Sequence, residues 1–211
     1  MARIKTLYDK RKSDIRSGII FNVVFMVVLT VLAAFVFINN FVLFRVDVSG
    51  SSMQPTLMSG DRIVASYYGK VERTSIIIIK DEKPYLLIKR AIAFGGETVK
   101  ISGGYVFLKE AGETEFKKLD ETYLADGVRT FYPNIGDPGN TAEYIFKVGE
   151  GEVFFLGDNR TVSADSRSEF GTCREEQIVG VVSDFALSFK GVTLFFDGIA
   201  ENIRNLFVVK K

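Results

Sequence analysis

The feature that most restricts how this chain folds is an uncharged run from Ser17 to Phe44, 28 residues bounded by Arg16 and Arg45. A helix through its inner part, Ile19 to Ile38, rises about 30 Å at roughly 1.5 Å per residue, which matches the thickness of a hydrocarbon layer. Asn22 and Thr30 are mild interruptions. A cleavable leader would carry a shorter apolar stretch and then a small-x-small site; here Asn39-Asn40-Phe41-Val42 follows, so the run reads as a retained anchor over residues 17–44. Arg3, Lys5, Lys10, Arg11, Lys12 and Arg16 precede it, against Asp9 and Asp14. By the positive-inside rule residues 1–16 are a cytoplasmic segment, and the chain after about Arg45 lies across the membrane. The competing reading, a helix buried in a globular core, fits poorly with so long a run without charge.

Composition narrows the chemistry that an anchored domain can carry. The chain has no histidine in 211 residues, so a Ser/His/Asp triad, a Cys/His pair and a histidine-ligated zinc are excluded whatever the fold. Its one cysteine, Cys173, forms no internal disulfide and supplies no metal set. A formal net charge of +1, with no long basic run, leaves no electrostatic case for nucleic acid. A reactive serine in this chain needs a lysine or a carboxylate as its base.

After the anchor, period-two and short apolar segments dominate, so residues 45–191 read as one β-rich domain. Arg62 to Tyr68, Ser75 to Ile79, Tyr85 to Ala93, Thr98 to Ile101, Tyr105 to Leu108, Tyr144 to Val148 and Glu152 to Leu156 fit strands. Pro84 opens the third of them, Ser102-Gly103-Gly104 closes a hairpin, and Gly60-Asp61 and Asp137-Pro138-Gly139-Asn140 are turns. Lys109 to Glu121 is charged and poor in apolar residues, and reads as a solvated loop with no chemistry assigned. From Val192 onward, Phe195, Phe196, Ile199, Ile203, Leu206 and Phe207 recur with helical spacing, which predicts an amphipathic helix over 192–211. Such a helix lies either on the membrane surface or on the domain's own core.

Three stretches stand out as candidate chemistry. Gly50-Ser51-Ser52-Met53-Gln54-Pro55-Thr56-Leu57 places a serine in a stiff turn just beyond the anchor, where a hydroxyl can be held in a fixed direction. A plain linker is the alternative reading. In Tyr85 to Ala93, alternation puts Lys89 on the face of Leu87 and Ala91, with Arg90 on the other. A lysine among apolar neighbours loses hydration, and full burial lowers its proton affinity far enough to leave a neutral amine near neutral pH. An edge-strand lysine facing water is the alternative. The third stretch, Gly157-Asp158-Asn159-Arg160-Thr161-Val162-Ser163-Ala164-Asp165-Ser166-Arg167, concentrates charge after an apolar strand. Asp158, Arg160, Asp165 and Arg167 are expected to pair within the loop, with Ser163 and Ser166 as hydroxyl partners. A phosphate-loop reading fails because no Walker lysine follows.

Taken together, these stretches resemble the membrane-bound Ser/Lys endopeptidases of the bacterial signal peptidase I family. The family's G-x-S-M-x-P-T-L box is matched by Gly50 to Leu57 and its G-D box by Gly60-Asp61. Its strand K-R pair is matched by Lys89-Arg90, and its G-D-N-R-x-x-S-x-D-S-R box by Gly157 to Arg167. The resemblance runs from about residue 17 to Gly180. It implies Ser52 as nucleophile, Lys89 as general base, and Ser163 as the hydroxyl that orients the lysine. Asp158, Asp165 and Arg167 would support that loop, the backbone N–H of Ser52, helped by Ser51, would bind the oxyanion, and Met53 and Pro55 would contact substrate. No cofactor or metal is called for. The implied substrate is the signal peptide of a translocated preprotein, and the implied surroundings are a lipid bilayer, with the translocation machinery as a further partner.

Two segments depart from the family pattern. The usual P-G-D turn stands here as Gly95-Gly96-Glu97, and the usual R-G-D-I-V as Arg73-Thr74-Ser75-Ile76-Ile77. They leave open a catalytically impaired or scaffolding homologue. A self-cleaving repressor-type protease shares the chemistry, but would carry a DNA-binding region where this chain has its apolar run.

Overall fold

The computed structural model describes residues 2–81, 85–132, 142–168, 170–183 and 187. Pro84, the turn at Asp137 to Asn140 and the amphipathic segment 192–211 lie outside the described residues. The chain divides into two compact units, Met1–Leu43 and Phe44–Lys211.

The first unit is helix α1 (Ala2–Phe41), which continues through the basic segment as well as the apolar run. Its stretch Ile15–Ile38, 24 residues, is the one helix among the described residues long and apolar enough to cross a membrane, and none of it is buried. The uncharged run was expected to stay helical to Phe44. Instead the helix ends at Phe41, and Leu43 and Phe44 open strand β1 (Leu43–Asp47). Packing explains the earlier boundary: the Phe44 ring stacks on Tyr67 at 4.3 Å between centroids and fills the space left by the missing side chain of Gly180.

The second unit is built from two antiparallel sheets. Its strands are β2 (Arg62–Ser66), β3 (Ile76–Lys80), β4 (Leu86–Phe94), β5 (Thr98–Ser102), β6 (Tyr105–Lys109), β7 (Lys117–Lys118), β8 (Tyr144–Lys147), β9 (Glu152–Leu156), β10 (Cys173–Arg174) and β11 (Ile178–Val182). The larger sheet runs β1-β2-β11-β3-β4-β9-β10 and the smaller β7-β6-β5-β8. All seven expected strands form, within a residue or two at their ends. Tyr67 and Tyr68 fall in a turn beyond β2, and the short β7 interrupts the charged stretch. The β5–β6 hairpin closes with Ser102 opposite Tyr105, as the Gly103-Gly104 pair predicts.

The β-branched run of β3 is buried along Ile76 to Ile79, as expected of a strand covered on both faces. Ile76 and Ile78 pack with Leu57, Ile63 and Ala65, whereas Ile77 and Ile79 pack with Ala91, Val153 and Phe155. Each such side chain contributes about 1.5–3 kcal/mol by leaving water. Strand β4 lies between β3 and β9, so Lys89 stands in the interior of the larger sheet. The edge-strand alternative for this lysine is thereby removed.

Candidate active site

The Ser52 turn is fixed at both ends and underneath. Val48 donates its N–H to the Asp61 carbonyl at 2.8 Å and Gly60 donates back to the Val48 carbonyl at 2.9 Å, closing the segment into a loop. Gly50 at its entry has φ +91°, a conformation that a side chain would strain. Met53 and Leu57 are buried in the core of the larger sheet and pin the turn from below, with Leu57 N–H donating to the Met53 carbonyl at 2.9 Å. Ser52 itself stays partly exposed.

Lys89 reaches this serine: its Nζ lies 2.8 Å from Ser52 Oγ. The lysine is only 4% exposed, and its cross-strand neighbour is the fully buried Ile77. Burial lowers its pKa from the ordinary 10.5, and the fields of Asp165 and Asp158 only partly oppose that shift. Among the described residues no carboxylate forms an ion pair with it. The amine is therefore biased toward its neutral, basic form and aimed at one hydroxyl.

Arg90, the next residue along β4, takes a different partner. Its Nε and Nη2 donate to the two Asp158 carboxylate oxygens at 2.8 and 2.6 Å, and its Nη1 donates to the Thr74 carbonyl at 2.6 Å. Thr56, from the serine turn, donates its hydroxyl to the same carboxylate at 2.6 Å. Asp158 thus ties the serine turn to β4.

The polar loop pairs internally only in part. Asp165 and Arg167 form the expected bidentate pair, Nε to Oδ1 and Nη2 to Oδ2 both at 2.8 Å, with Gly157 N–H donating to Asp165 at 3.0 Å. The Ser166 hydroxyl accepts from Phe155 N–H at 2.9 Å. The expected charged pairing of Asp158 and Arg160 inside the loop does not form, although Arg160 Nε donates to the Gly157 carbonyl within it at 3.0 Å. Asp158 is taken by Arg90. Arg160 donates to Glu121 at 2.6 Å, to Tyr123 Oη at 3.2 Å and to Thr130 Oγ1. The physical reason is reach: β4 and the 121–130 segment bring complementary groups that cannot be inferred from spacing within the loop. The charged stretch Lys109 to Glu121 carries no motif in the sequence, yet its last residue anchors this loop.

Ser163 is fully buried beside Gly157. A methyl group at 157 would overlap both the Ser163 side chain and the Ser52 carbonyl, so the loop passes Ser52 with no room to spare. The Ser51 carbonyl accepts from Asn159 Nδ2 at 3.1 Å and the Ser52 carbonyl from Asn159 N–H at 3.0 Å. Neither Asn159 nor Thr56 was singled out from sequence, although both lie inside the matched boxes. A cavity of about 110 Å³ is lined by residues 47–50, Ser52, Met53 and 86–89. Met53 therefore borders the space beside the serine, whereas Pro55 is exposed and not part of its wall.

The two departing segments meet each other. Arg73 donates to both Glu97 oxygens at 2.9 and 2.8 Å, and Glu97 also accepts from Phe94 N–H at 2.8 Å. Burial alone would raise the Glu97 pKa, but these contacts outweigh it and the carboxyl ends below its ordinary value. Thr74, at φ +70°, is held between this pair and Arg90. Cys173 is buried, its thiol pushed up to about 12 chiefly by desolvation, which leaves it inert as a nucleophile.

Comparison with known proteins gives the family. A family model described as signal peptidase, peptidase S26, matches residues 20–186. Signal peptidase I U of Bacillus subtilis strain 168 is 28% identical over 186 residues, covering 85% of this chain and 91% of that protein. Signal peptidase I V of the same organism is 34% identical over 153 residues, covering 70% and 88%. The crystal structure of a signal peptidase I from Enterococcus faecalis V583 matches at 26% identity, 55% of this chain and 98% of that one, with a TM-score of 0.42. With the family model covering most of its length, this chain belongs to the signal peptidases of peptidase family S26 and is a serine endopeptidase.

Proposed function

We propose that this chain is a membrane-anchored signal peptidase in which Ser52 is the nucleophile and Lys89 the general base. The observation that carries the reading is the 2.8 Å approach of a buried lysine amine to the serine hydroxyl. As Ser52 Oγ attacks the scissile carbonyl carbon, Lys89 Nζ takes its proton. The resulting ammonium gives that proton to the departing amine nitrogen as the C–N bond breaks, leaving an ester on Ser52. Lys89, neutral again, takes a proton from water, and the hydroxide attacks the ester. Ser52 Oγ leaves with the proton from the lysine. The Ser52 N–H binds the oxyanion, with Ser51 alongside. Ser163 orients the amine, while Asp158, Asp165 and Arg167 hold the loop that carries it.

The substrate is the signal peptide of a translocated preprotein, cut after a small-x-small site. The narrow cavity beside Ser52 suits a small side chain, and β1, the outer strand of the larger sheet leading into the cavity wall, suits pairing with an extended peptide. The apolar part of α1 anchors the enzyme in the bilayer that also holds the substrate's apolar segment, and the basic residues before it favour a cytoplasmic N-terminus. The translocation machinery is the natural source of substrate. Detergent-solubilised full chain should release the mature protein from a preprotein carrying such a site, and Ser52→Ala and Lys89→Ala should each abolish release while keeping the thermal unfolding transition. Full activity in either variant would end this assignment.

A further inference from the structure

We propose that Asn159 is a positioning residue for oxyanion binding: its side-chain amide holds the Ser51 carbonyl and thereby sets the plane of the Ser51–Ser52 peptide. This rests on the reading of Ser52 as nucleophile. Nδ2 donates to the Ser51 carbonyl at 3.1 Å, and the same oxygen accepts from Gln54 N–H at 3.2 Å. The Thr161 hydroxyl donates to Asn159 Oδ1 at 3.1 Å, which fixes which side of the amide faces Ser51. Asn159 N–H meanwhile donates to the Ser52 carbonyl at 3.0 Å, so one residue holds the carbonyls on both sides of the nucleophile's α-carbon.

The consequence follows from peptide geometry. The Ser51–Ser52 bond is trans, so its C=O and N–H point in opposite directions. With the carbonyl drawn toward Asn159 and Gln54, the Ser52 N–H is turned away from them, and it has no acceptor among the described residues. A donor aimed before the reaction begins stabilises a developing oxyanion without reorganising, whereas a misaimed donor costs rate and leaves ground-state binding untouched.

The test compares Asn159→Ala, Asn159→Asp and Thr161→Val with the parent chain in detergent. Cleavage of a preprotein is measured alongside the affinity of a peptide boronic acid, which forms a tetrahedral adduct on Ser52, and of the matching uncleaved peptide amide. Asn159→Asp keeps the acceptor for Thr161 but turns an oxygen toward the Ser51 carbonyl. We expect kcat to fall about 100-fold for it, about 10-fold for Asn159→Ala and about 3-fold for Thr161→Val, as graded loss of an oxyanion donor predicts. KM and amide affinity should stay put, boronate affinity should fall in step with kcat, and the midpoint of the pH profile should hold in Asn159→Ala and Thr161→Val, which add no charge beside Lys89. Should Asn159→Asp fail to fold, the other two variants carry the same comparison. Unchanged kcat and boronate affinity would overturn the proposal. So would a parallel loss of both affinities with a lowered unfolding temperature, or a moved pH midpoint in either of the two uncharged variants. A fully active Ser52→Ala control would instead overturn the Ser/Lys reading itself.

Discussion

Lys89 and Arg90 are neighbours on one strand, and both are almost withdrawn from water, at 4% and 6% exposure. Arg90 meets a carboxylate with two hydrogen bonds and a backbone carbonyl with a third. Lys89 meets a serine hydroxyl. Burial of a charge is tolerated where a counter-charge replaces the lost water, and where none does the group tends to shed its proton. The same strand therefore carries one cation matched by a carboxylate and one amine whose pKa burial lowers, with only partial opposition from Asp165 and Asp158. The loop from Gly157 to Arg167 serves both, giving Asp158 to Arg90 and passing Gly157 against Ser52.

The sharpest way to break this contrast is to put a permanent charge at Lys89, where the proposed mechanism needs a neutral amine. Lys89→Arg should lower kcat/KM about 10³-fold or more, close to the loss from Lys89→Ala, because arginine cannot serve as a base. Preprotein cleavage at equal protein concentration measures this. Appreciable activity in the arginine variant would mean that position, and not proton affinity, decides. On the compensated side, Asp158→Ala leaves a buried guanidinium unmatched and should cost about 3–5 kcal/mol of unfolding free energy. Replacing both partners, Arg90→Met with Asp158→Leu, should recover much of that in denaturant titrations.

Between the two regions lies Gly157. Gly157→Ala forces a methyl group into the Ser163 side chain and the Ser52 carbonyl, so about 1–3 kcal/mol of destabilisation is expected, together with a loss of cleavage. The smallest effect concerns pH. The unfolded lysine keeps its proton up to about 10.5, while the folded one releases it lower, so between those values the unfolded state binds more protons and stability rises with pH. Below that window the buried amine is a net cost. Lys89→Met should therefore unfold at a higher temperature than the parent at neutral pH, with the gain shrinking toward pH 10.5 in calorimetry.

Much of this was legible before any coordinates, for identifiable reasons. The four isoleucines of β3 admit little besides a buried strand, and the Ser102-Gly103-Gly104 hairpin closes where its turn residues require. The family boxes single out Ser52, Lys89, Asp158, Asp165 and Arg167 by position. Partner choice across distant segments was not legible. Arg160 finds Glu121 through a fold that brings residues 39 positions apart together, and Arg90 finds Asp158 across 68. Arg73 and Glu97 were visible only as separate departures from a pattern, yet they compensate each other as an ion pair. Strands β10 and β11 escaped notice because a two-residue strand and a five-residue run containing a glycine carry little periodic signal.

The central claim is that burial, only partly opposed by Asp165 and Asp158, lowers the Lys89 pKa and so favours the basic form that the proposed mechanism needs. Its most direct test is titration of the Lys89 side chain by NMR on lysine-labelled full chain in micelles, with Lys89→Met identifying the resonance. A midpoint below the ordinary 10.5 is expected, matched by a rise in kcat/KM with pH through the same midpoint. A midpoint at or above 10.5, with cleavage already at full rate while the amine is charged, would contradict it.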